Sequence, residues 1–276
     1  MRAGLLALVI LFGAGAGVAG AQTCAPVVAP PDLLAAGKLQ MSINPTLPPQ
    51  QYLNEKGELQ GLNVEIGEAV AQHMCLEPVF IRMDFPAMLP ALLAGRFDAI
   101  DTGLFWTQER AKVAFLVPYG QQAISVAVLN ASTLKVDSLA DLSGHSVTVE
   151  TNSYQDGKLR QVNAELAAKG AKPIEVHSFT TATDCVAALR AGQAEASVAN
   201  DDTARALAKL GFAKVIAHGL NGSDLTLAFR SRPVAEAAAK ALAAIRADGS
   251  YDRIFDKFGM TELPPGPFGI RAPAGD

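Results

Sequence analysis

Two short polar runs, Asp101-Thr102-Gly103 and Asn200-Asp201-Asp202, hold the side chains best placed for chemistry in this sequence. Each follows the same local pattern. The first copy reads Ala91-Leu92-Leu93-Ala94-Gly95-Arg96-Phe97-Asp98-Ala99-Ile100, and Ala188-Leu189-Arg190-Ala191-Gly192-Gln193-Ala194-Glu195-Ala196-Ser197 repeats it 97 residues later, glycine to glycine. In both, an apolar helix ends at a glycine free to take the left-handed C-terminal position, and a short strand opens after an acidic residue and alanine. The carboxyl ends of such strands are where open α/β sheets bind their ligands. Carboxylates, hydroxyls, amides and free backbone N–H groups there can bind a small polar molecule by hydrogen bonds and charge. Two like-built lobes would offer two polar rims to one cleft, although Ala-Leu-x-Ala-Gly also arises by chance in an alanine-rich chain. Metal chemistry has no such support. His73, His145, His177 and His218 are scattered and no Cys-x-x-Cys occurs, so no ligand set stands at metal spacing and no cofactor is expected.

The surrounding sequence supplies the elements that must position these tips. Residues 37–43 alternate as a strand, and 44–49 form an extended loop because three prolines remove ladder donors. Asn54-Glu55-Lys56-Gly57 reads as a turn. Leu62, Ile66, Ala69, Val70 and Met74 recur at helical spacing over 61–75, residues 78–82 form a strand, and Asp84 caps the helix that ends at Gly95. Thr107-Gln108-Glu109-Arg110 starts another helix. A second block repeats the order: a capped turn at 138–144, a strand at 146–149, a loop at 150–153, then helix, strand, helix over 182–190, strand over 196–199 and helix over 203–210. Residues 224–229 read as a strand and 235–246 as a helix. Alternating strands and helices predict parallel sheets with right-handed crossovers.

Composition bounds the class of protein. Arg2, an apolar stretch over 5–12 and Ala19-Gly20-Ala21 fit a secretory signal peptide of residues 1–21, cleaved after Ala21. A retained anchor is the competing reading, but its many glycines and alanines make the segment weakly hydrophobic. Cleavage removes only Arg2 among the charges and leaves 22 basic against 27 acidic side chains, an acidic balance that argues against nucleic acid or anionic lipid as partner. The remaining 255 residues suffice for two lobes of ordinary domain size. Three cysteines in an exported chain invite one disulfide. Cys24 and Cys75 are open to bridging, whereas Cys185 shares an apolar helix face with Val186 and Leu189 and reads as a buried small hydrophobe.

Several segments, in order over 38–259, carry a family resemblance. They are Pro48-Pro49 followed by Lys56-Gly57-Glu58-Leu59-Gln60-Gly61-Leu62; Asp84-Phe85-Pro86-Ala87-Met88-Leu89; Gly95-Arg96-Phe97-Asp98-Ala99; Thr107-Gln108-Glu109-Arg110; Pro118-Tyr119; Leu139-Ala140-Asp141-Leu142-Ser143-Gly144; and Ile245-Arg246-Ala247-Asp248-Gly249-Ser250-Tyr251. Together they resemble the bacterial periplasmic solute-binding proteins of the polar amino-acid class, family 3, the receptors of ABC importers. The resemblance implies an α/β, two-lobed periplasmic binding protein fold, with two parallel or mixed sheets flanked by helices and a two-crossing hinge. Residues 22–37 would lead in, 38–119 and 225–262 would form lobe 1, and 120–224 lobe 2. The hinge would lie near Tyr119-Gly120 and His218-Gly219-Leu220-Asn221-Gly222, and the Pro/Gly-rich tail 263–276 is expected to be disordered. A ligand touching both lobes would stabilise the closed form. The implied protein is a periplasmic monomer that binds a small carboxylated solute and delivers it to an ABC permease.

The resemblance also assigns residues. Arg110 matches the arginine that forks onto the ligand carboxylate, which suits a guanidinium charged at every physiological pH; by position alone it would read as a solvated helix arginine beside Glu109. Thr102 and the Gly103 backbone would hold the same carboxylate or its neighbour. Phe85 matches an aromatic platform, with core filling as its ordinary alternative. Asn152, Ser153 and Tyr154 lie where the second lobe presents polar groups at a helix start, a place that also suits Ser153 as a plain helix cap. Departures are equally informative. Asn200 stands where the family usually has an aspartate for the ligand ammonium, so either Asp201 turns inward or the ligand lacks a standard α-ammonium. Leu47 replaces a common aromatic and Phe105 a common Ser or Thr, while Tyr52 and Trp106 would restore an aromatic wall or, for Trp106, fill the core. Two other functions fit the scaffold. One is a cyclohexadienyl-dehydratase-like enzyme using Glu150 or Asp201 as general acid, and the other a ligand-sensing input to a membrane signalling or redox partner.

Overall fold

In this computed structural model residues 24–272 are described, so the expected leader lies outside them. Strand β1 (Lys38–Ile43) leads into three short strands, β2 (Thr46–Leu47), β3 (Gln51–Leu53) and β4 (Leu59–Gln60), which pair with one another as a separate small sheet. The proline loop is therefore not free of ladder bonds. Thr46 and Leu47 keep their N–H groups and pair with Tyr52 and Gln51, while Pro45, Pro48 and Pro49 flank them. Helix α1 (Leu62–His73) buries Leu62, Ile66 and Val70 on one stripe. It is followed by β5 (Glu77–Arg82), α2 (Phe85–Leu93), β6 (Ala99–Phe105), the one-turn α3 (Gln108–Ala111) and the long β7 (Phe115–Leu129).

The second lobe opens on a 3₁₀ turn, Leu139–Leu142, started by a Ser138/Asp141 capping box. Then come β8 (Ser146–Glu150), α4 (Tyr154–Ala168), β9 (Glu175–Phe179), α5 (Ala182–Arg190), β10 (Ala196–Asn200) and α6 (Asp201–Lys209). The chain returns through β11 (Ala213–Phe229) to α7 (Arg232–Ala247), α8 (Ser250–Phe258) and β12 (Thr261–Glu262). The main sheet runs β5-β1-β6-β11-β7-β10-β8-β9. β1 is parallel to β5 and β6, and β8 is parallel to β9 and β10, as alternating strands and helices demand. β7 and β11 run antiparallel to each other and to their outer neighbours, so one mixed ladder crosses both lobes.

Each lobe has its own core. One packs Leu39, Met41, Leu62, Ile66, Val117, Leu227, Leu242, Ile245 and Phe255; the other packs Ile124, Val126, Val147, Val149, Leu159 and Val198. β7 and β11 contribute to both. Their pairing shifts register between Ala217 and Leu220 and again before Ser223, and such irregularities let a ladder bend.

A disulfide joins Cys24 to Cys75, with Cα atoms 5.5 Å apart, and Cys185 is a buried free thiol. The expectation of a disordered tail fails for residues 263–272. Arg246 stacks 4.2 Å from the Phe268 ring and donates to the Gly266 carbonyl at 3.1 Å, and Phe268 is buried. Arg271 exchanges backbone hydrogen bonds with Leu116, pairs with Asp224 and lies over Trp106. Prolines and glycines forbid regular structure here, but side-chain anchors hold an irregular chain equally well.

Candidate ligand-binding site

The lobe 1 wall is built where β6 turns into α3. Thr107 caps that helix by accepting the Arg110 N–H at 3.1 Å, which aims the arginine side chain back over the strand end. Its guanidinium donates to the Phe105 carbonyl at 2.7 Å and, across the seam, to the Asn152 carbonyl of lobe 2 at 3.2 Å. The Phe85 ring centroid lies 5.6 Å from Arg110 Cζ. Arg110 is buried, and burial pulls its pKa down to about 10, so it stays charged at neutral pH. Among the described residues no carboxylate forms a salt bridge with it. Phe105 stacks face to face on Tyr154 of lobe 2, with centroids 4.7 Å apart, so the change from a small polar residue closes that part of the seam with aromatic surface.

On lobe 2 the strand-to-helix loop after β8 faces this wall. Asn152 takes a left-handed φ of 59° and presents its backbone carbonyl to Arg110. Ser153 is occupied as the cap of α4, accepting the Asp156 N–H at 3.1 Å, and the Tyr154 hydroxyl donates to the Asn221 carbonyl at 3.0 Å. Glu150, which ends β8, accepts a hydrogen bond from Asn44 of lobe 1 at 2.9 Å. Burial pushes its carboxyl up to about 8; the Asn44 amide and the Ala182 N–H oppose that shift, and the Asp84 carboxylate adds to it.

A chain of buried polar groups runs behind the seam. The Asn44 N–H donates to Thr102 Oγ1 at 3.1 Å, and Gln51 Nε2 donates to the same oxygen at 3.0 Å. Asn63 Nδ2 donates to Gln51 Oε1 at 2.6 Å, and the Tyr119 hydroxyl donates to Asn63 Oδ1 at 2.5 Å. Gly103 holds a positive φ of 69°, and a Cβ there would run into the Gln50 side chain. Asn44 and Gln51 were missed by sequence reading. Asn44 directly follows a parallel strand, and the strand-end rule that flagged Asp101 and Asn200 applies to it equally.

The remaining candidates separate. Asn200 is buried, takes a hydrogen bond from Gln155, and shares a cavity of about 30 Å³ with Glu150, Ser153 and Leu47. Asp201 turns the other way, accepting from Ser125 Oγ at 2.7 Å and from the Gly219 N–H at 3.2 Å on the central strands. The Tyr52 hydroxyl lies against Gln60 in the small sheet, exposed and apart from the Arg110 group. Trp106 lines the cavity of about 610 Å³ at the mouth of the seam with Arg110, Asn152, Tyr154 and Lys158. The arrangement can clamp a small anionic group between lobes, with the lobes drawn together in this structure.

Residues 39–261 match the model of the bacterial extracellular solute-binding proteins, family 3. The chain belongs to this family. Among curated family 3 relatives, it is 26% identical over 234 residues to the ABC transporter arginine-binding protein 1 of Escherichia coli (strain K12), covering 81% of this chain and 91% of that one. It is 28% identical over 245 residues to the L-arginine-binding protein of Pseudomonas aeruginosa, covering 84% and 92%. An ancestral arginine-binding protein bound to arginine superposes with a TM-score of 0.75 at 27% identity, covering 80% of this chain and 98% of that one. The mixed α/β, two-lobed architecture is that of amino-acid-binding proteins of this fold.

Proposed function

We propose that this chain is the periplasmic binding component of an ABC importer, a monomer exported by a leader over 1–21, which captures an amino acid or similar small carboxylated solute between its lobes and hands it to a membrane permease. One observation carries the reading: a buried, charged guanidinium stands at the interlobe seam, touches both lobes, and among the described residues has only neutral carbonyl oxygens as hydrogen-bond partners. A ligand carboxylate would replace neutral acceptors with a charge-assisted, bidentate pair. Because such a ligand contacts both walls only when they meet, its binding favours closure. Phe85 beside the guanidinium offers an aromatic face to the ligand and the Asn152 carbonyl a polar group from lobe 2, while Thr102 and Ser153, already hydrogen-bonded within their own walls, brace the site. The names of the relatives above support an amino acid as the first ligand class to try.

Calorimetry on Arg110→Ala tests the clamp. A pair of this kind inside a closed seam is worth about 2–3 kcal/mol, so affinity for the ligand should fall roughly a hundredfold; unchanged affinity removes Arg110 from the site. One observation favours a second reading. A carboxyl raised to about 8 in the seam, Glu150, has the proton-donor state that a dehydratase needs. Turnover of prephenate or arogenate by the wild type, abolished in Glu150→Gln, would replace the binding reading with an enzymatic one.

A further inference from the structure

We propose that Phe105 and Tyr154 form an aromatic latch, which holds the lobes together by protein contacts alone and so sets the affinity of the site without touching the ligand. They act as positioning residues. Their effect on affinity rests on the binding reading; the closure itself does not.

Phe105 ends β6 in lobe 1 and Tyr154 begins α4 in lobe 2. Their ring centroids lie 4.7 Å apart with the planes within 7° of parallel, so the pair spans the seam. Rings at that separation attract by dispersion and shelter each other from water. Core filling does not account for Tyr154. A ring that merely filled one lobe would pack against that lobe's core, whereas Tyr154 is half-buried and packs against both, the core of Phe105, Val117 and Leu225 and the core of Val149 and Leu159. Its hydroxyl adds a third attachment, to the Asn221 carbonyl at 3.0 Å, in the stretch of β11 where the pairing with β7 shifts register. One side chain thus joins lobe 1, lobe 2 and a strand that crosses between them.

The latch is separate from the guanidinium clamp. Alternation along β6 sends Phe105 into the core with α1 and α7, whereas Leu104 packs with Met88 and with Phe85, the ring beside Arg110. A carboxylate on Arg110 competes with the Phe105 and Asn152 carbonyls and leaves the stacked rings in place. Contacts made only in the closed form raise its population, and a ligand that needs that form binds with its intrinsic dissociation constant divided by the closed fraction. The pair geometry alone is worth roughly two- to twelvefold in the closing equilibrium, and the apolar surface that both rings withdraw from water adds to this.

Small-angle X-ray scattering on the mature chain, refolded from denaturant to remove carried ligand, tests the latch, with circular dichroism to confirm the fold of each variant. The wild type should scatter as the closed molecule described above. Tyr154→Leu keeps apolar bulk but removes the stack, and should shift the curve toward an expanded, open form at unchanged helix content. Phe105→Leu should do the same, the double variant should open no further than either alone, and Tyr154→Phe, which keeps the ring, should stay mostly closed. In calorimetry the two single Leu variants should bind the probes L-arginine and L-glutamine more weakly, by one common factor of up to about tenfold. An open wild type, Leu variants as compact as the wild type, or unequal losses for the two probes, which would put the ring on the ligand, overturns the assignment. If Phe105→Leu fails to fold, Tyr154→Leu decides by itself. Scattering uses no ligand, so failure of the latch and failure of the binding reading are read separately.

Discussion

Burial acts in opposite ways on two ionisable side chains at the seam, Arg110 and Glu150. Arg110 starts so far above neutrality that a drop to about 10 leaves it charged, whereas Glu150, raised from 4.5 to about 8, becomes neutral near physiological pH. Asp101 follows the same rule deeper in lobe 1, where neither carboxylate oxygen finds a partner and burial pushes its pKa well up. For Glu150 the sign of the pH dependence follows directly. A carboxyl whose folded pKa is raised contributes its full stability below the unfolded value near 4.5, and that contribution is lost as pH climbs through about 8. Ligand-free Glu150→Gln, which never ionises, should melt close to the wild type near pH 4.5 and be more stable at pH 8 and above, by on the order of a few kcal/mol. Scanning calorimetry across that range checks it, and parallel melting curves at all pH values would contradict it.

Caps and loop ends do the positioning at the scale of elements. Thr107 caps α3 and directs Arg110; Ser153 caps α4 and fixes the loop that carries Asn152 and Glu150. Both helices start at the seam, so the same local hydrogen bonds that begin them also set the site. The disulfide belongs to this scale too. It ties the lead-in to the C-terminal end of α1, where the Val27 N–H also bonds the Met74 carbonyl at 3.2 Å. Closing a loop with a sequence separation of 51 residues restricts the unfolded chain, so Cys24→Ser should cost about 2–4 kcal/mol in denaturant unfolding. A change under half a kcal/mol would mean that packing alone holds the segment.

At the scale of the whole molecule, β7 and β11 are shared by both lobes and are the strands whose ladder loses register midway. Asp201 reinforces that region by accepting from Ser125 on β7 and from Gly219 on β11, and the Arg271–Asp224 pair pins the C-terminal segment to β11 beside it. The tail is thus part of lobe 1 packing. Deleting residues 264–276 exposes the Phe268 site and breaks the Arg271 anchors, which should lower stability by roughly 2 kcal/mol or more. Equilibrium unfolding of the truncated chain measures this, and an unaltered midpoint would make the tail dispensable.

Local rules carried the sequence reading a long way. Periodicity located α1, α2, α5 and β1, β5, β8 and β10, and the ordered motifs pointed to the family, because helix stripes, caps and strand-end glycines are properties of a few adjacent residues. What depended on distant residues was not legible. Whether Asn200 or Asp201 turns toward the seam, that Tyr52 sits on a small separate sheet, and that β7 and β11 run through both lobes are settled by partners far along the chain. The same holds for Glu150. Its residue type and its place at the end of a strand are written in the sequence, but its proton affinity is set by desolvation between two lobes, and desolvation exists only once the tertiary structure has brought them together.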